Sequence, residues 1–259
     1  MSLLKCDFFS EVLDLSTSMT VIMPQEPLST VKETRDKKYP VLYLLHGYSD
    51  DHTIWTRRTS VERYVQNLGL AVVMPQVDHS YYTDMKYGKK YWTFLSEEVP
   101  HVARSLFHLS DKREDNFVAG LSMGGYGAFK WALRQPEKFA AAASLSGALN
   151  VANRVKQMPD RRDGFNLIFG EEEIQGTEND LFWLIEQGNL AAYKPLLYQS
   201  CGTEDFLYDD NVQFKEMVNN TDFDLITEFE TGDHEWSYWD RKIQDVLNWL
   251  PIKKDEAKE

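Results

Sequence analysis

Residues 117–129 read FVAGLSMGGYGAF, and that order constrains the chain more than any other stretch. Phe117-Val118-Ala119 has the aromatic and β-branched character of a short strand. Residues 123–134 have the spacing of a helix. Between them stands Ser122, with a glycine two residues before it and another two residues after it. A strand that passes directly into a helix must turn back on itself, and small residues at those two positions avoid a clash. Gly120-x-Ser122-x-Gly124 therefore predicts a tight strand-to-helix turn that holds a serine hydroxyl above the edge of a sheet. The five-residue pattern alone is weak evidence. The strand before it and the helix after it make it specific.

The rest of the chain alternates in a way that suits such a turn. Val41-Leu42-Tyr43-Leu44-Leu45 is a continuous apolar run, as in a strand covered on both faces. Further strands are expected over residues 70–74, 139–145, 196–201 and 225–229. Helices are expected over residues 61–68, 91–109, 211–218 and 236–250. Pro100 must kink the second of these or lie near its start. The alternation implies an α/β fold: one domain over residues 1–259, with a mainly parallel sheet and helices on both faces. Ahead of it, apolar alternation over residues 9–23, broken at Ser16 to Ser18, predicts an antiparallel strand pair. Residues 24–38, with Pro24 and Pro27, predict a loop. Residues 147–189 interrupt the alternation. They carry Arg154, Lys156, Arg161 and Arg162, an acidic run at 171–173 and an apolar patch at 181–185. An insertion with its own apolar face reads as a cap over a site, or else as a peripheral helical excursion. The charged tail at 252–259 is expected to fray.

A neutral serine needs a base to take its proton. In this architecture an acid and then a histidine follow the serine along the chain. His234 is the one histidine after Ser122, because His46, His52, His79, His101 and His108 all precede it. It sits in Thr231-Gly232-Asp233-His234-Glu235, just past a strand. The orienting carboxylate is expected after the penultimate strand, in Gly202-Thr203-Glu204-Asp205. Asp205 is the favoured residue, with Glu204 and Asp209 as competitors. The adjacent Asp233 is expected to point away. An oxyanion needs two backbone donors. The Met123 N–H, directly after the serine, is one. The Tyr48 N–H, in the His46-Gly47-Tyr48-Ser49 loop after the strand ending at Leu45, is the other. His46 is expected to brace that loop rather than act as a base. Three Asp-His pairs (Asp51-His52, Asp78-His79, Asp233-His234) raise the thought of a metal centre. No His-x3-His or His-Glu-x-x-His spacing accompanies them, so no metal is expected.

With these segments in order, the chain resembles the esterase D-like family of α/β-hydrolases. Among them it most resembles the small bacterial tributyrin-esterase type. The matching pieces are LYLLHGYSDDHTIWTRRTSVERY, YYTDMKYGKKYWTFLSEEVP, AGLSMGGYGAFKWAL, CGTEDFLYDDN and GDHEWSYWDRKIQDVLNWL. The resemblance implies a serine carboxylesterase for short-chain acyl esters that needs no cofactor. Ser122, Asp205 and His234 would form its triad, and Tyr48 and Met123 its oxyanion hole. Relatives with similar elbows include S-formylglutathione hydrolases, feruloyl and acetyl-xylan esterases and acyltransferases. A non-catalytic binding relative is disfavoured by the intact triad. For the substrate wall, the aromatic stretch holding Tyr81, Tyr82, Tyr87, Tyr91 and Trp92 is one source, and Phe182 and Trp183 of the insertion are another. Tyr87, Trp92, Phe182 and Trp183 stand as the substrate-binding candidates, although core packing competes for each aromatic taken singly.

Composition closes off other classes. A hydrophobic share of 42% with 27% charged residues is ordinary for a globular protein and excludes wholesale disorder. The net charge of −13 argues against nucleic acid and against an anionic membrane surface. No stretch approaches the roughly 18 apolar residues of a membrane span. Two cysteines, Cys6 and Cys201, and no recognisable leader segment fit a cytoplasmic enzyme acting on a small-molecule ester. Exposed aromatics permit self-association without demanding it. Residues 201–250 hold 13 acidic and 3 basic side chains, so a net of −10 surrounds Asp205 and His234. That field is expected to disfavour anionic substrates.

Overall fold

The computed structural model describes residues 1–25 and 37–253. Most of the loop expected over 24–38, and residues 254–259 of the expected tail, lie outside the described residues. Among the described residues, eight strands form one sheet: β1 (Ser2–Ser10), β2 (Leu15–Met23), β3 (Val41–Leu45), β4 (Ala71–Pro75), β5 (Asn116–Leu121), β6 (Ala141–Leu145), β7 (Leu196–Gly202) and β8 (Leu225–Glu230). Their order across the sheet is β1-β2-β4-β3-β5-β6-β7-β8. β2 runs antiparallel to β1 and to β4, and the remaining pairs are parallel. The α/β class and the mainly parallel sheet are as expected.

The helices are α1 (Ile54–Arg58), α2 (Val61–Tyr64), α3 (Tyr91–Thr93), α4 (Val99–Leu106), α5 (Met123–Arg134), α6 (Val151–Gln157), α7 (Arg162–Phe169), α8 (Leu181–Gly188), α9 (Tyr208–Val218) and α10 (Trp236–Trp249). Strand alternation divides the apolar residues between two faces. Val41, Tyr43 and Leu45 of β3 join one core with Tyr126, Phe129 and Trp131 of α5, Phe214 of α9 and Leu181 of α8. Leu42 and Leu44 join the other with Trp55, Val61, Trp239, Ile243 and Val246. Both faces of β3 are therefore buried, which is what its unbroken apolar run requires. Each fully buried large side chain contributes roughly 1.5–3 kcal/mol.

Three boundaries differ from expectation. The first hairpin turns at residues 11–14, not at Ser16 to Ser18, and its first strand begins at Ser2. Asp14 takes the left-handed conformation (φ 51°) that the turn needs, and the serines sit inside β2, where Ser18 donates to Asp7 Oδ1 at 2.5 Å. Of the helical segment expected over 61–68, only Val61–Tyr64 is helical, as α2; α1 ends before it at Arg58, with Thr59 extended between the two. The expected helix over 91–109 is interrupted by a π turn at Phe94–Glu98. Pro100 has no N–H to offer the Ser96 carbonyl four residues back, so a regular α-helix cannot run through this point.

The chain topology fixes where a site can form. β3 pairs with β4 on one side and with β5 on the other, so the connections diverge above β3 and β5. In register, Leu45 pairs with Gly120 and Leu121 with Leu145, which brings the carboxyl ends of β3, β5 and β6 to one level. A crevice at such a switch point is the usual ligand position in an open α/β sheet.

Candidate active site

Ser122 stands between β5 and α5 with φ 54° and ψ −117°. A side chain in that conformation is strained, and such strain persists only where the surroundings hold it. Here the Ser122 N–H donates to Leu145 O at 2.9 Å, and its carbonyl accepts from Tyr126 and Ala148 N–H at 3.1 Å each. The two flanking glycines are required by contact. A Cβ at Gly120 would lie 2.4 Å from Gly124 O, and one at Gly124 would lie 2.5 Å from Leu45 O and 2.6 Å from His46 O. The turn is thus pressed against the end of β3 with no room for a methyl group.

The expected partners converge on the serine. His234 Nε2 lies 3.1 Å from Ser122 Oγ, and His234 Nδ1 lies 2.8 Å from Asp205 Oδ2. With Nδ1–H donating to the carboxylate, Nε2 is left to accept from the hydroxyl. The Asp205 side chain is buried, and its other oxygen accepts from Leu207 N–H at 2.8 Å. The two loops that carry the acid and the histidine are fastened to each other. Glu204 N–H donates to Gly232 O at 3.1 Å, and Glu204 Oε2 accepts from Gly232 N–H at 2.6 Å. Glu204 is therefore a loop tie, and the Gly232 N–H holds its carboxyl below the usual range. Asp233 accepts from the backbone N–H of His234 at 2.7 Å, while the imidazole nitrogens meet Asp205 and Ser122. Asp209 opens α9 in its first turn.

The Gly47 backbone borders the serine, since a Cβ there would meet Leu121 Cδ1 at 2.7 Å and Ser122 Cβ at 3.7 Å. The loop bearing Tyr48 thus lies beside the nucleophile position, and Met123 follows it directly in α5. His46 is buried and braces this loop. Its Nε2 accepts from Val77 N–H at 3.1 Å, so Nδ1 carries the proton and donates to Gly47 O at 2.8 Å. Burial pulls its pKa down to about 4, so the ring is neutral at ordinary pH. The other Asp-His pairs are similarly occupied. His52 Nδ1 meets Thr20 Oγ1 at 2.8 Å, and His79 stacks on the Tyr48 ring at 4.2 Å.

A family model described as "Putative esterase" matches residues 10–250. The chain belongs to this esterase family. The esterase is 28% identical over 271 residues to an acetyl esterase of Caldicellulosiruptor saccharolyticus, covering 98% of this chain and 100% of the relative. It is 36% identical to the substrate-bound fluorophosphonate-binding serine hydrolase FphF of Staphylococcus aureus, with a TM-score of 0.90 and coverage of 96% and 98%. The S-formylglutathione hydrolase FrmB of Staphylococcus aureus matches at the same identity and coverage with a TM-score of 0.85. The fold is the α/β-hydrolase fold in its esterase D-like form, and the activity class is carboxylic-ester hydrolysis.

In the esterase, the rings against His234 are Phe206 at 4.5 Å and Trp239 at 4.9 Å between centroids. Neither is among the four wall candidates, and among the described residues none of those four makes a ring contact with His234. Trp92 is covered by Arg134, whose Cζ lies 3.9 Å from its centroid. Tyr87 is exposed and its N–H donates to Leu167 O. Phe182 packs edge-on against Phe214 of α9, and Trp183 packs against the main core. The insertion instead reaches the site through other residues. Arg154 Cζ lies 4.9 Å above Phe206, Arg161 Cζ lies 5.4 Å above Tyr48, and Gly164 faces the Tyr48 hydroxyl. Tyr81 contacts Tyr48, Tyr126, Phe165 and Phe169, so it joins the loop after β4 to the insertion.

Behind this wall lies Lys130 of α5, which is fully buried. Its ammonium donates to Tyr82 O at 3.0 Å and Thr83 Oγ1 at 2.7 Å, and lies over the Trp92 and Tyr126 rings. Burial holds its pKa well below the usual lysine value. Tyr81 and Tyr82 both have positive φ (49° and 52°), and the Tyr82 hydroxyl donates to His46 O at 2.8 Å. A strained turn is thereby anchored to the nucleophile helix at one end and to the Tyr48 loop at the other. No local pattern in the sequence marks Lys130, because its partners lie 47 and 48 residues away.

Proposed function

We propose that the chain is a serine carboxylesterase acting on short-chain acyl esters, with Ser122 as nucleophile, His234 as general base and acid, and Asp205 as the orienting carboxylate. The observation that carries this reading is the continuous relay from Ser122 Oγ through both nitrogens of His234 to buried Asp205. Ser122 Oγ attacks the ester carbonyl while His234 Nε2 takes its proton. The Met123 and Tyr48 N–H groups receive the charge that develops on the carbonyl oxygen. Such a donor typically contributes about 2.7–4 kcal/mol to the barrier reduction. His234 then gives its proton to the departing alcohol, leaving an acyl group on Ser122. Water attacks that acyl-enzyme in the mirrored step, and the carboxylate leaves. Asp205 stabilises the transient imidazolium and fixes its tautomer throughout. The insertion between β6 and β7 serves as a cap, supported by its contacts to Tyr48, Tyr81 and Phe206. The free thiols of Cys6 and Cys201 support a cytoplasmic setting.

The short-chain preference is supported by the 28% identical acetyl esterase, which spans nearly the same length. A thioester with a charged leaving group is the second reading. It is favoured by the neighbour named S-formylglutathione hydrolase and by Arg154 and Arg161, which the insertion brings over Phe206 and Tyr48. One panel decides between them: p-nitrophenyl acetate, butyrate, octanoate and decanoate beside S-formylglutathione, with Ser122→Ala as the blank. Turnover that peaks at acetate or butyrate and vanishes in Ser122→Ala is expected. A peak at decanoate, or activity surviving in Ser122→Ala, would overturn the reading.

A further inference from the structure

Among the described residues the sheet ends in two strands that are paired on one side only, β1 at one edge and β8 at the other. Such an edge presents a row of backbone N–H and C=O groups that can pair with another chain. Proteins blunt an edge with short strands, with charge or with proline. β8 is six residues long, reads LITEFE, and carries Glu228 and Glu230 with no cation of its own. β1 is nine residues long, reads SLLKCDFFS, and carries one cation, one carboxylate and no proline. Its side chains alternate between the two faces of the sheet. Leu3, Lys5, Asp7 and Phe9 are exposed on one face, Leu3 at 46% and Phe9 at 60%. Leu4, Cys6 and Phe8 are half-buried on the other, where Phe8 stacks on Phe94 at 6.2 Å.

The order of residues in β1 is complementary to itself when reversed. Opposed residues in an antiparallel ladder are either both hydrogen-bonded or both not, so a strand that pairs with its own copy does so about an axis through one residue. An axis at Lys5 sets Lys5 against Lys5 and Leu3 against Asp7. An axis at Asp7 sets Asp7 against Asp7 and Lys5 against Phe9. An axis at Cys6 sets Lys5 against Asp7, Leu3 against Phe9 and Leu4 against Phe8, each twice by symmetry, and uses the whole strand. Like charges directly opposed destabilise a ladder, and opposite charges and apolar pairs stabilise it. Lys5 has no ion-pair partner within its own chain among the described residues. The β8 edge has no such register, because its two carboxylates find no cation on that strand.

We propose that β1 pairs antiparallel with β1 of a second copy of this chain, about a two-fold axis at Cys6, so that two sheets become one. The surroundings of the strand suit the same partner. On the face that carries Leu3 and Lys5, a groove of about 680 Å³ separates β1 from α1 and α2, and Arg57 and Arg63 line it. Neither arginine has an ion-pair partner among the described residues. The Cys6 register sets Phe9 of the second copy beside Leu3, at the mouth of this groove. It also carries the acidic turn of the second copy, Glu11 and Asp14, past Met1 and into the field of Arg57 and Arg63. The contact is isologous, so each copy offers one groove and one turn. The edges left over are the two β8 strands, whose carboxylates oppose further growth, and the assembly closes at two copies. The seam is independent of the ester chemistry, because β1 contributes nothing to the Ser122–His234–Asp205 relay.

Sedimentation equilibrium over a concentration series, combined with charge exchange, tests it. The parent chain should sediment as a monomer–dimer system. Lys5→Asp and Asp7→Lys should each raise the dimer Kd about tenfold or more, since each replaces two attractive cross-strand pairs by two repulsive ones. The double variant Lys5→Asp/Asp7→Lys restores opposite charges in the same register, and its Kd should return to within about threefold of the parent. Turnover of p-nitrophenyl acetate per reactive serine should match the parent in all three, which shows that they fold. Cross-linking of the parent chain is the arm that depends on no variant. Cys6 faces its own copy at the axis, with Cβ atoms about 4.5–5.5 Å apart, so a short bis-methanethiosulfonate should join two chains. Cys6→Ser should abolish that product, and Cys201→Ser, which removes a buried thiol, should leave it. The proposal is overturned by a chain that stays monomeric throughout the series, by a double variant no tighter than the single ones, by a dimer that neither single change weakens, or by a cross-link that survives in Cys6→Ser.

Discussion

Gly124→Ala sets two magnitudes against each other. Gly124 lies in the first turn of α5, where alanine is favoured over glycine by about 1 kcal/mol in a helix interior. By propensity alone the substitution should stabilise. The added Cβ, however, would stand 2.5 Å from Leu45 O and 2.6 Å from His46 O, where ordinary contact begins at 3.4 Å. Both contacts are backbone, so no side chain can swing aside. Leu45 belongs to β3, which is hydrogen-bonded to strands on both sides and yields little. The movement must fall on the Ser122 turn or on the 46–48 loop, and either opens the gap between serine and oxyanion donors by most of an ångström. Overpacking of this kind costs about 1–3 kcal/mol, so a net loss of roughly 0–2 kcal/mol in stability is expected. The rate should suffer more, because a misplacement near 1 Å costs about 10²-fold. Steady-state turnover of p-nitrophenyl acetate, normalised by fluorophosphonate titration of reactive serine, should show the loss in kcat with KM little changed. Gly164→Ala is the matched control. Its Cβ would meet only the Tyr48 hydroxyl, at 3.7 Å, and turnover should stay within about twofold. A Gly124→Ala enzyme with more than half the parent kcat and an unchanged melting temperature would refute the argument.

Three further outcomes are expected. Asp205→Asn should keep the fold and lower kcat by about 10³–10⁴-fold, since the amide favours the wrong imidazole tautomer; a loss smaller than tenfold in the ester assay would remove Asp205 from its role. Lys130→Met should change stability in a pH-dependent way. Lys130 binds its proton less readily folded than unfolded, so its burial penalty is greatest at low pH and fades as pH rises toward 10.5. The melting temperature of Lys130→Met relative to the parent should therefore decline as pH rises from 6 to 10, and a pH-independent difference would contradict this. Asp210, buried at the start of α9 with Arg154 3.7 Å away, has its pKa raised by burial from 3.8 to about 6. The folded chain binds more protons than the unfolded one across that window, so parent stability should fall as pH rises through it. Asp210→Asn should flatten that decline in melts at pH 4, 5, 6 and 7, and an equally steep decline would show that another group is responsible.

The parts of the site that could be read from the amino-acid order are those whose physical demands fall on neighbouring residues. The Ser122 turn needs small residues at 120 and 124 because backbone approaches within 2.5 Å of both positions. That demand leaves a mark within five residues. His234 was readable for a different reason: chain order in this architecture leaves one histidine after the serine. The strand end at Gly202 pointed to the segment that holds Asp205 but left Glu204 and Asp209 as competitors, and it is Asp205 that the structure brings to Nδ1, while Glu204 ties the two loops together. Boundaries failed where a tertiary contact overrode the local pattern, as at Ser18 of β2, which faces Asp7 across the hairpin. The substrate wall was less legible. Tyr87, Trp92, Phe182 and Trp183 are apolar enough for a wall, but apolar character alone does not say which face of the molecule a ring will join. Phe206 shows what signal was available. It follows Asp205 directly, on a loop whose acid must be buried to serve His234, and it is 62% exposed while its ring lies 4.5 Å from the imidazole. A large aromatic placed next to a buried carboxylate on a site loop has no core to enter, because the acid already occupies the inward position. Its natural place is over the histidine that the acid holds. Lys130 offers no such inference, since its two partners lie nearly fifty residues away and the strain it offsets exists only once the Tyr81–Tyr82 turn has formed.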